Sequence, residues 1–109
     1  MSSLHRGDIV ALPPSRAARG HEQKGQRYAV VLQSEELAGL STVVVAPTST
    51  GAQAARFRPA VTVRGRKTRV LVEQLQAADR SRFTKPVGHL SRHEVEDVEE
   101  SLRILLGLF

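Results

Sequence analysis

The chain has 109 residues, is 40% hydrophobic, contains no cysteine and carries a formal net charge of +5. That length suits one domain able to bury a modest core without staples, and no apolar run approaches the roughly 18 residues that a membrane span needs. The missing cysteines exclude disulfides, thiolate metal sites and cysteine nucleophiles, and fit a reducing cytoplasm. No apolar stretch follows residues 1–6, so no signal peptide is expected. Residues 1–90 carry 14 Lys/Arg against six Asp/Glu, whereas residues 91–109 carry two against five. A basic body points to a polyanionic partner, either nucleic acid or an acidic protein, with an Arg-rich proteome as the bland alternative.

Residues 7–12 (GDIVAL) read as a first strand, ended by Pro13-Pro14 because proline gives no N–H to a ladder. Residues 15–27 have no hydrophobic period and read as a mobile basic loop. Residues 28–32 (YAVVL), apolar throughout, read as a central strand. Ser34-Glu35-Glu36-Leu37 predicts one helical turn closed by Gly39. Residues 42–46 (TVVVA) predict a third strand stopped by Pro47, and residues 47–58 a loop rich in Thr, Ser, Gly and Ala. Residues 60–63 and 68–72 read as strands around the basic turn 64–67, residues 79–83 as a helical turn and 86–90 as a last short strand. Five or six strands at this spacing predict a mainly β, α+β chain coiled into a small antiparallel barrel. The period then changes. Ser91 and Glu94 form a capping box, and Val95, Val98, Leu102, Leu105 and Phe109 recur at helical spacing. The acidic first turns suit the helix dipole. The expectation is a single domain over residues 1–109, with this helix packed on the barrel.

His5, His21, His89 and His93 are scattered without ligand spacing, so no metal site is expected. No glycine-rich phosphate loop is present. One Tyr, three Phe and no Trp leave little surface for base stacking. An Arg-rich strand and loop surface would instead grip phosphates and a few base edges through the guanidinium fork. Three polar clusters stand out: Glu22-Gln23 to Arg27, Thr48-Ser49-Thr50, and Glu73-Gln74. Each, taken alone, is more often loop solvation or a buried ion pair than a site. Arg56, Arg58, Arg64, Arg66, Lys67 and Arg69 follow one another without an acid and would steer a polyanion electrostatically.

The ordered set of these segments resembles the MazF/PemK/Kid family of toxins from toxin–antitoxin pairs. Arg6-Gly7-Asp8-Ile9-Val10 is similar to the family's opening R-G-D strand. Glu22 through Leu32 resembles its E-x-x-x-x-R-P-[AV]-[VL]-V block, and Val45-Ala46-Pro47-Thr48-Ser49 its V-x-P region ending in Thr and Ser. Val70-Leu71-Val72-Glu73-Gln74-Leu75 is similar to its [LV]-x-x-[ED]-Q-[IV] segment. Arg82-Phe83, His89-Leu90 and the closing helix match as well. Two departures stand out. Tyr28 occupies the usual proline position, and Leu71 occupies a place where some relatives carry Arg, which favours the branch relying on an Arg–Thr pair.

The resemblance implies an SH3-like barrel of the CcdB/Kid type, assembled as a cytoplasmic homodimer. It implies an endoribonuclease without cofactor or membrane attachment, cutting single-stranded RNA in a groove that spans both subunits. A cognate acidic antitoxin would occupy the same groove. Arg27, Thr48 and Glu22 are the implied catalytic residues. Arg27 would stabilise phosphate charge and Thr48 orient the phosphate, while Glu22 acts as a base or positions Arg27. Gln23, Lys24, Ser49, Arg56, Arg58, Arg66, Lys67, Glu73 and Gln74 are the implied RNA-binding residues. For Arg27 the competing reading is an ion pair with Glu73, and for Thr48 a turn residue capping its own backbone. At the level of the whole protein, the alternatives are a CcdB-like gyrase-binding toxin that cuts nothing and an inactive RNA-binding homologue. The first usually needs an exposed C-terminal Trp, and this chain ends Gly107-Leu108-Phe109.

Overall fold

The computed structural model describes residues 4–13 and 26–109. The expected basic loop therefore lies almost wholly outside the described residues. Among the described residues seven strands are present: β1 (Asp8–Ala11), β2 (Tyr28–Val31), β3 (Thr42–Ser49), β4 (Ala60–Val63), β5 (Arg66–Val70), β6 (Gln76–Asp79) and β7 (Gly88–His89). They are followed by one helix, α1 (Arg92–Leu106). Neighbours run β4-β5-β3-β2-β1-β7, every pair antiparallel, and β6 joins β3. The sheet coils into a nearly closed barrel with α1 packed on it.

Strand β2 is apolar throughout because both of its faces are covered. Val30 turns into the cluster formed with Ile9, Leu32, Ala46, Val61, Val63, Val70, Val72, Leu90 and Val98. Ala29 and Val31 turn the other way, onto Leu4, Val10, Val43, Val45, Ala78 and Phe83. Such two-sided burial is what a continuous apolar strand signals. Burying side chains of this size contributes roughly 1.5–3 kcal/mol each before entropy is counted.

Strand β3 runs through Pro47 to Ser49 and is not stopped at Ala46 as the sequence suggested. The reason lies in its neighbours. On one side β3 pairs β6 from Thr42 to Val45, then β5 at Thr48 and Ser49. Pro47 sits between these ladders. Its carbonyl accepts the Leu71 N–H at 2.8 Å on that same side, so the missing proline N–H falls where no ladder bond is required. On the other side β3 stays paired with β2, with Val45, Ala46 and Pro47 opposite Val31, Val30 and Ala29.

Three further boundaries differ from the sequence reading. The segment read as a strand over 68–72 pairs over Arg66–Val70, and Val72–Gln74 forms a 3-10 turn. The β4–β5 turn is correspondingly tighter, Arg64-Gly65 with φ of 50° and 83°, the geometry that suits a twisted two-residue hairpin. Strand β6 lacks the β-branched residues that announce a strand, and only its pairing with β3 makes it one. The short turns at Glu35–Leu37 and Arg80–Arg82 form as expected, capped by Ser34 and Asp79.

Helix α1 carries the full capping box. The Glu94 N–H donates to Ser91 Oγ at 3.2 Å, and the Ser91 N–H to Glu94 Oε1 at 2.9 Å. Glu94 Oε2 also accepts the Thr62 N–H at 2.8 Å, which ties the helix start to the edge strand β4. Val98 is buried, with Val95 and Leu102 beside it. Leu105, in the last turn of α1, is 37% exposed, and Phe109 lies beyond the left-handed Gly107 (φ 69°) that ends the helix and is 96% exposed. Gly7 marks a close approach at the other end of the helix. It has φ 95°, and a Cβ there would meet Val95 Cγ2 at 2.7 Å. The next residue, Asp8, is buried and holds β7 through His89 Nδ1 at 2.7 Å.

Candidate nucleic-acid interface

The candidate residues fall at the end of β3 where it leaves β6 for β5. Continuing the β2–β3 register beyond Ala29 and Pro47 sets Tyr28 beside Thr48 and Arg27 beside Ser49. Ser49 in turn lies opposite Arg69 of β5. Arg27 is exposed. Its carbonyl accepts the Leu12 N–H at 2.8 Å and Gln26 Nε2 at 3.0 Å, while its guanidinium has no hydrogen bond or ion pair with a described residue. The strand end thus holds the backbone, and no described residue pairs with the cation.

Thr48 is a strand residue and not the self-capping turn residue of the competing reading. Its half-buried hydroxyl donates to the Tyr28 carbonyl at 3.1 Å. That bond ties β3 to β2 one residue beyond Arg27. With its proton committed to Tyr28, the hydroxyl turns its remaining lone pair to whatever lies beside it.

The ion pair between Arg27 and Glu73 does not form. Glu73 is taken by Arg58, whose Nε and Nη2 lie 2.8 and 2.6 Å from Oε2. Glu73 Oε1 is buried and has no hydrogen-bond partner among the described residues. The Arg58 guanidinium also donates to the Gln53 carbonyl at 3.3 Å and lies 5.4 Å from the centre of the Phe57 ring. Arg69 Nη1 donates to the Arg58 carbonyl at 2.7 Å. A strand-end acid followed by Gln is the sequence signal for Glu73, but nothing local says which Arg it takes. Fifteen residues separate the pair.

Other candidates stand apart. Arg66 and Lys67 are exposed at the tip of the β4–β5 hairpin. Arg66 is four residues from Val70, the partner of Thr48, or about 13 Å along the strand. Arg56 and Gln74 are exposed, and Arg64 donates to the Val87 carbonyl at 3.3 Å. Glu22, Gln23 and Lys24 lie outside the described residues. Among the described residues no three His, Asp or Glu side chains come together as a metal site, and no helix is long and apolar enough to cross a membrane. An open hollow of about 530 Å³ beside the start of α1 is lined by Arg6, His89, Arg92, Val95, Glu96 and Glu99. Its arginines are paired, Arg6 with Glu99 at 3.1 Å and Arg92 with Glu96 at 3.6 Å, whereas Arg27, Arg66 and Lys67 have no ion pair among the described residues.

Comparison with known proteins matches this geometry to one family. The profile of the PemK-like, MazF-like toxin of type II toxin–antitoxin systems matches residues 5–106. A protein of Mycobacterium tuberculosis, whose name proposes it as a toxin, is 42% identical over 104 residues, covering 94% of this chain and 97% of its own. Endoribonuclease MazF of Staphylococcus epidermidis is 30% identical over 112 residues, covering 96% and 92%. The MazF of Deinococcus radiodurans, solved together with MazE, superposes with a TM-score of 0.76 at 21% identity and full coverage of both chains; that likeness speaks for the barrel and its helix. The chain belongs to the PemK-like, MazF-like toxin family of type II toxin–antitoxin systems.

Proposed function

We propose that the protein is a toxin acting as an endoribonuclease on single-stranded RNA. The observation that carries this reading is Arg27: a guanidinium with no ion pair among the described residues, on a backbone fixed by the barrel, beside Thr48 and Ser49. The 2′-hydroxyl of a ribose attacks the adjacent phosphorus, the bond to the 5′-oxygen breaks, and negative charge gathers on the non-bridging oxygens. Arg27 stabilises that charge by charge-assisted hydrogen bonds. Thr48, bonded to the Tyr28 carbonyl, keeps the strand end carrying Arg27 in register and offers its oxygen lone pair toward the substrate. Glu22, with Gln23 and Lys24, supplies further groups from the preceding segment, as a base or as a partner that orients Arg27. Ser49, Arg56, Arg66, Lys67 and Gln74 bind the RNA around the cleavage point. The products carry a 2′,3′-cyclic phosphate and a 5′-hydroxyl, and the reaction requires no divalent cation.

The partners in this reading are a second copy of the chain, which completes the RNA groove, and an acidic antitoxin that fills it. The exposed Leu105, Leu106, Leu108 and Phe109 supply apolar surface for a protein neighbour, and the MazE–MazF assembly of the Deinococcus neighbour supports the antitoxin. The test is cleavage of a long single-stranded RNA in EDTA with end-group analysis. Discrete cuts bearing cyclic phosphate are expected. A 5′-phosphate product, or no cut by folded protein on several RNAs, refutes the mechanism and leaves gyrase inhibition as the next assay.

A further inference from the structure

Between β3 and β4 the chain runs from Thr50 to Pro59 outside regular strands, apart from a single bridge between Ala55 and Arg58. Its own side chains give it little reason to hold one shape, since Gly51, Gln53, Ala54 and Arg56 are exposed. It is held by polar ties. Ser101 Oγ of α1 shares its one proton between the Asp97 carbonyl at 2.9 Å and the Arg56 carbonyl at 3.2 Å, and the Val70 N–H donates to the Pro59 carbonyl at 3.0 Å. The other ties meet at Arg58. Its N–H donates to the Ala55 carbonyl at 2.9 Å, its Nη1 to the Gln53 carbonyl at 3.3 Å, and its own carbonyl accepts Arg69. Its Nε and Nη2 go to Glu73, which sits in the turn after β5 and belongs to the barrel.

Glu73 is thus the fixed post and Arg58 the clamp. Both side chains are about three-quarters covered, 26% and 22% exposed, so water competes for the pair only weakly. The Gln53 end of the loop hangs on the Arg58 guanidinium, whereas residues 56–59 keep the Arg69, Ser101 and Val70 ties. The loop also starts one residue after Ser49, the register neighbour of Arg27. RNA crossing Arg27 therefore passes the point where the loop leaves the strand. In single strands, bases are read by polar groups held in fixed positions, whereas phosphate contacts position the strand without reading it.

We propose that the Arg58–Glu73 ion pair sets the shape of the 50–57 loop and thereby the base preference of cleavage. Glu73 is a positioning residue that acts through Arg58, and Arg58 is kept from serving as a general phosphate grip. This inference rests on the endoribonuclease reading and deepens it. It changes the expected role of both residues, from RNA contact to loop placement.

The experiment compares wild type, Glu73→Gln, Arg58→Gln and the double variant on one long single-stranded RNA, with every cut mapped by its new 5′ end. In each single variant the preference for the strongest cut over secondary cuts falls by roughly tenfold, the scale of discrimination that one base-reading side chain supplies. The double variant is no more relaxed than either single, as expected of two groups acting as one unit. Amide exchange across residues 50–57, measured without RNA, rises in all three variants while the β2–β3 amides stay protected. Should Glu73→Gln fold poorly, the swapped pair Arg58→Glu with Glu73→Arg tests the same clamp, and a return of wild-type preference supports it. Wild-type cut patterns in both single variants, equal slowing at every cut, independent effects that multiply in the double variant, or unchanged exchange in the loop would each overturn the inference. A wild-type protein that cuts no RNA refutes the nuclease reading instead, and with it the inference, while an active wild type with unaltered variants refutes the clamp alone.

Discussion

Replacing Arg27 by alanine separates function from fold more cleanly than any other substitution in this chain. The two bonds that secure the residue come from its backbone carbonyl, to Leu12 and to Gln26, and alanine keeps both. The side chain is exposed and holds no described residue, so the stability change should stay within about 0.5 kcal/mol. The catalytic change should be large. A single preorganised donor aimed at charge that develops in a transition state is worth about 2.7–4 kcal/mol, roughly 10²–10³ in kcat. Arg27→Lys keeps the charge but loses the planar fork and should fall between. The assay is single-turnover cleavage of a short RNA at saturating enzyme, which removes binding from the comparison, run beside thermal unfolding of each protein. A loss below about threefold, less than 1 kcal/mol of barrier, would refute the role of Arg27. So would a loss of activity that merely follows a loss of fold.

Ser91→Ala removes the acceptor for the Glu94 N–H and should cost about 1 kcal/mol in chemical denaturation; an unchanged midpoint would show that the Glu94 carboxylate, bonded to the residue 91 and Thr62 N–H groups, holds the helix start without the hydroxyl. The Asp79 carboxyl is held below its ordinary value of 3.8, first by the Ser81 hydroxyl and then by the Ser81 N–H. A carboxyl lowered on folding adds stability above its unfolded pKa, and that stability is lost as pH falls through the folded value. Asp79→Ala should therefore flatten the acid side of the stability profile below about pH 4 and leave its shape near pH 7 alone, as followed by unfolding midpoints across pH. Arg66→Ser with Lys67→Ser should weaken RNA binding similarly for all sequences and lower the salt slope by about 0.7 for each phosphate no longer neutralised. An unchanged slope would remove the hairpin tip from the RNA path.

The barrel was legible where one physical cause dominated. Residues 28–31 announce a strand covered on both faces, and Ser91 with Glu94 announces a helix start, because burial and capping are written in adjacent residues. The reading of Pro47 as a strand end failed because proline's effect depends on which side of the strand its nitrogen faces, and that is a property of the neighbours. Strand β6 was missed for a related reason: Gln76-Ala77-Ala78-Asp79 becomes a strand only when β3 arrives beside it. Phe109 continues the helical spacing on paper, but the left-handed Gly107 ends the helix before it.

The candidate site divides along the same line. Arg27, Thr48, Ser49 and Glu73 stand out by residue type and order, yet the competing pairing of Arg27 with Glu73 does not form. Both Arg27 and Arg58 are chemically suitable partners, and only the placement of the 50–59 loop decides between them. That choice matters for function. Were Glu73 bound to Arg27, that guanidinium would be held in an ion pair. Because Arg58 takes the carboxylate, Arg27 has no ion pair among the described residues, and the 50–59 loop gains an anchor in the barrel. The change of partner strand around Pro47 makes this division possible. It moves β3 from β6 to β5, and so brings Thr48 and Ser49 between the strand end that carries Arg27 and the strand that leads to Glu73. A chemical group on a rigid strand end and a recognising loop tied to the same barrel can then be tuned separately. Exchange of loop residues 50–57 should change which RNA is cut without dismantling the means of cutting it.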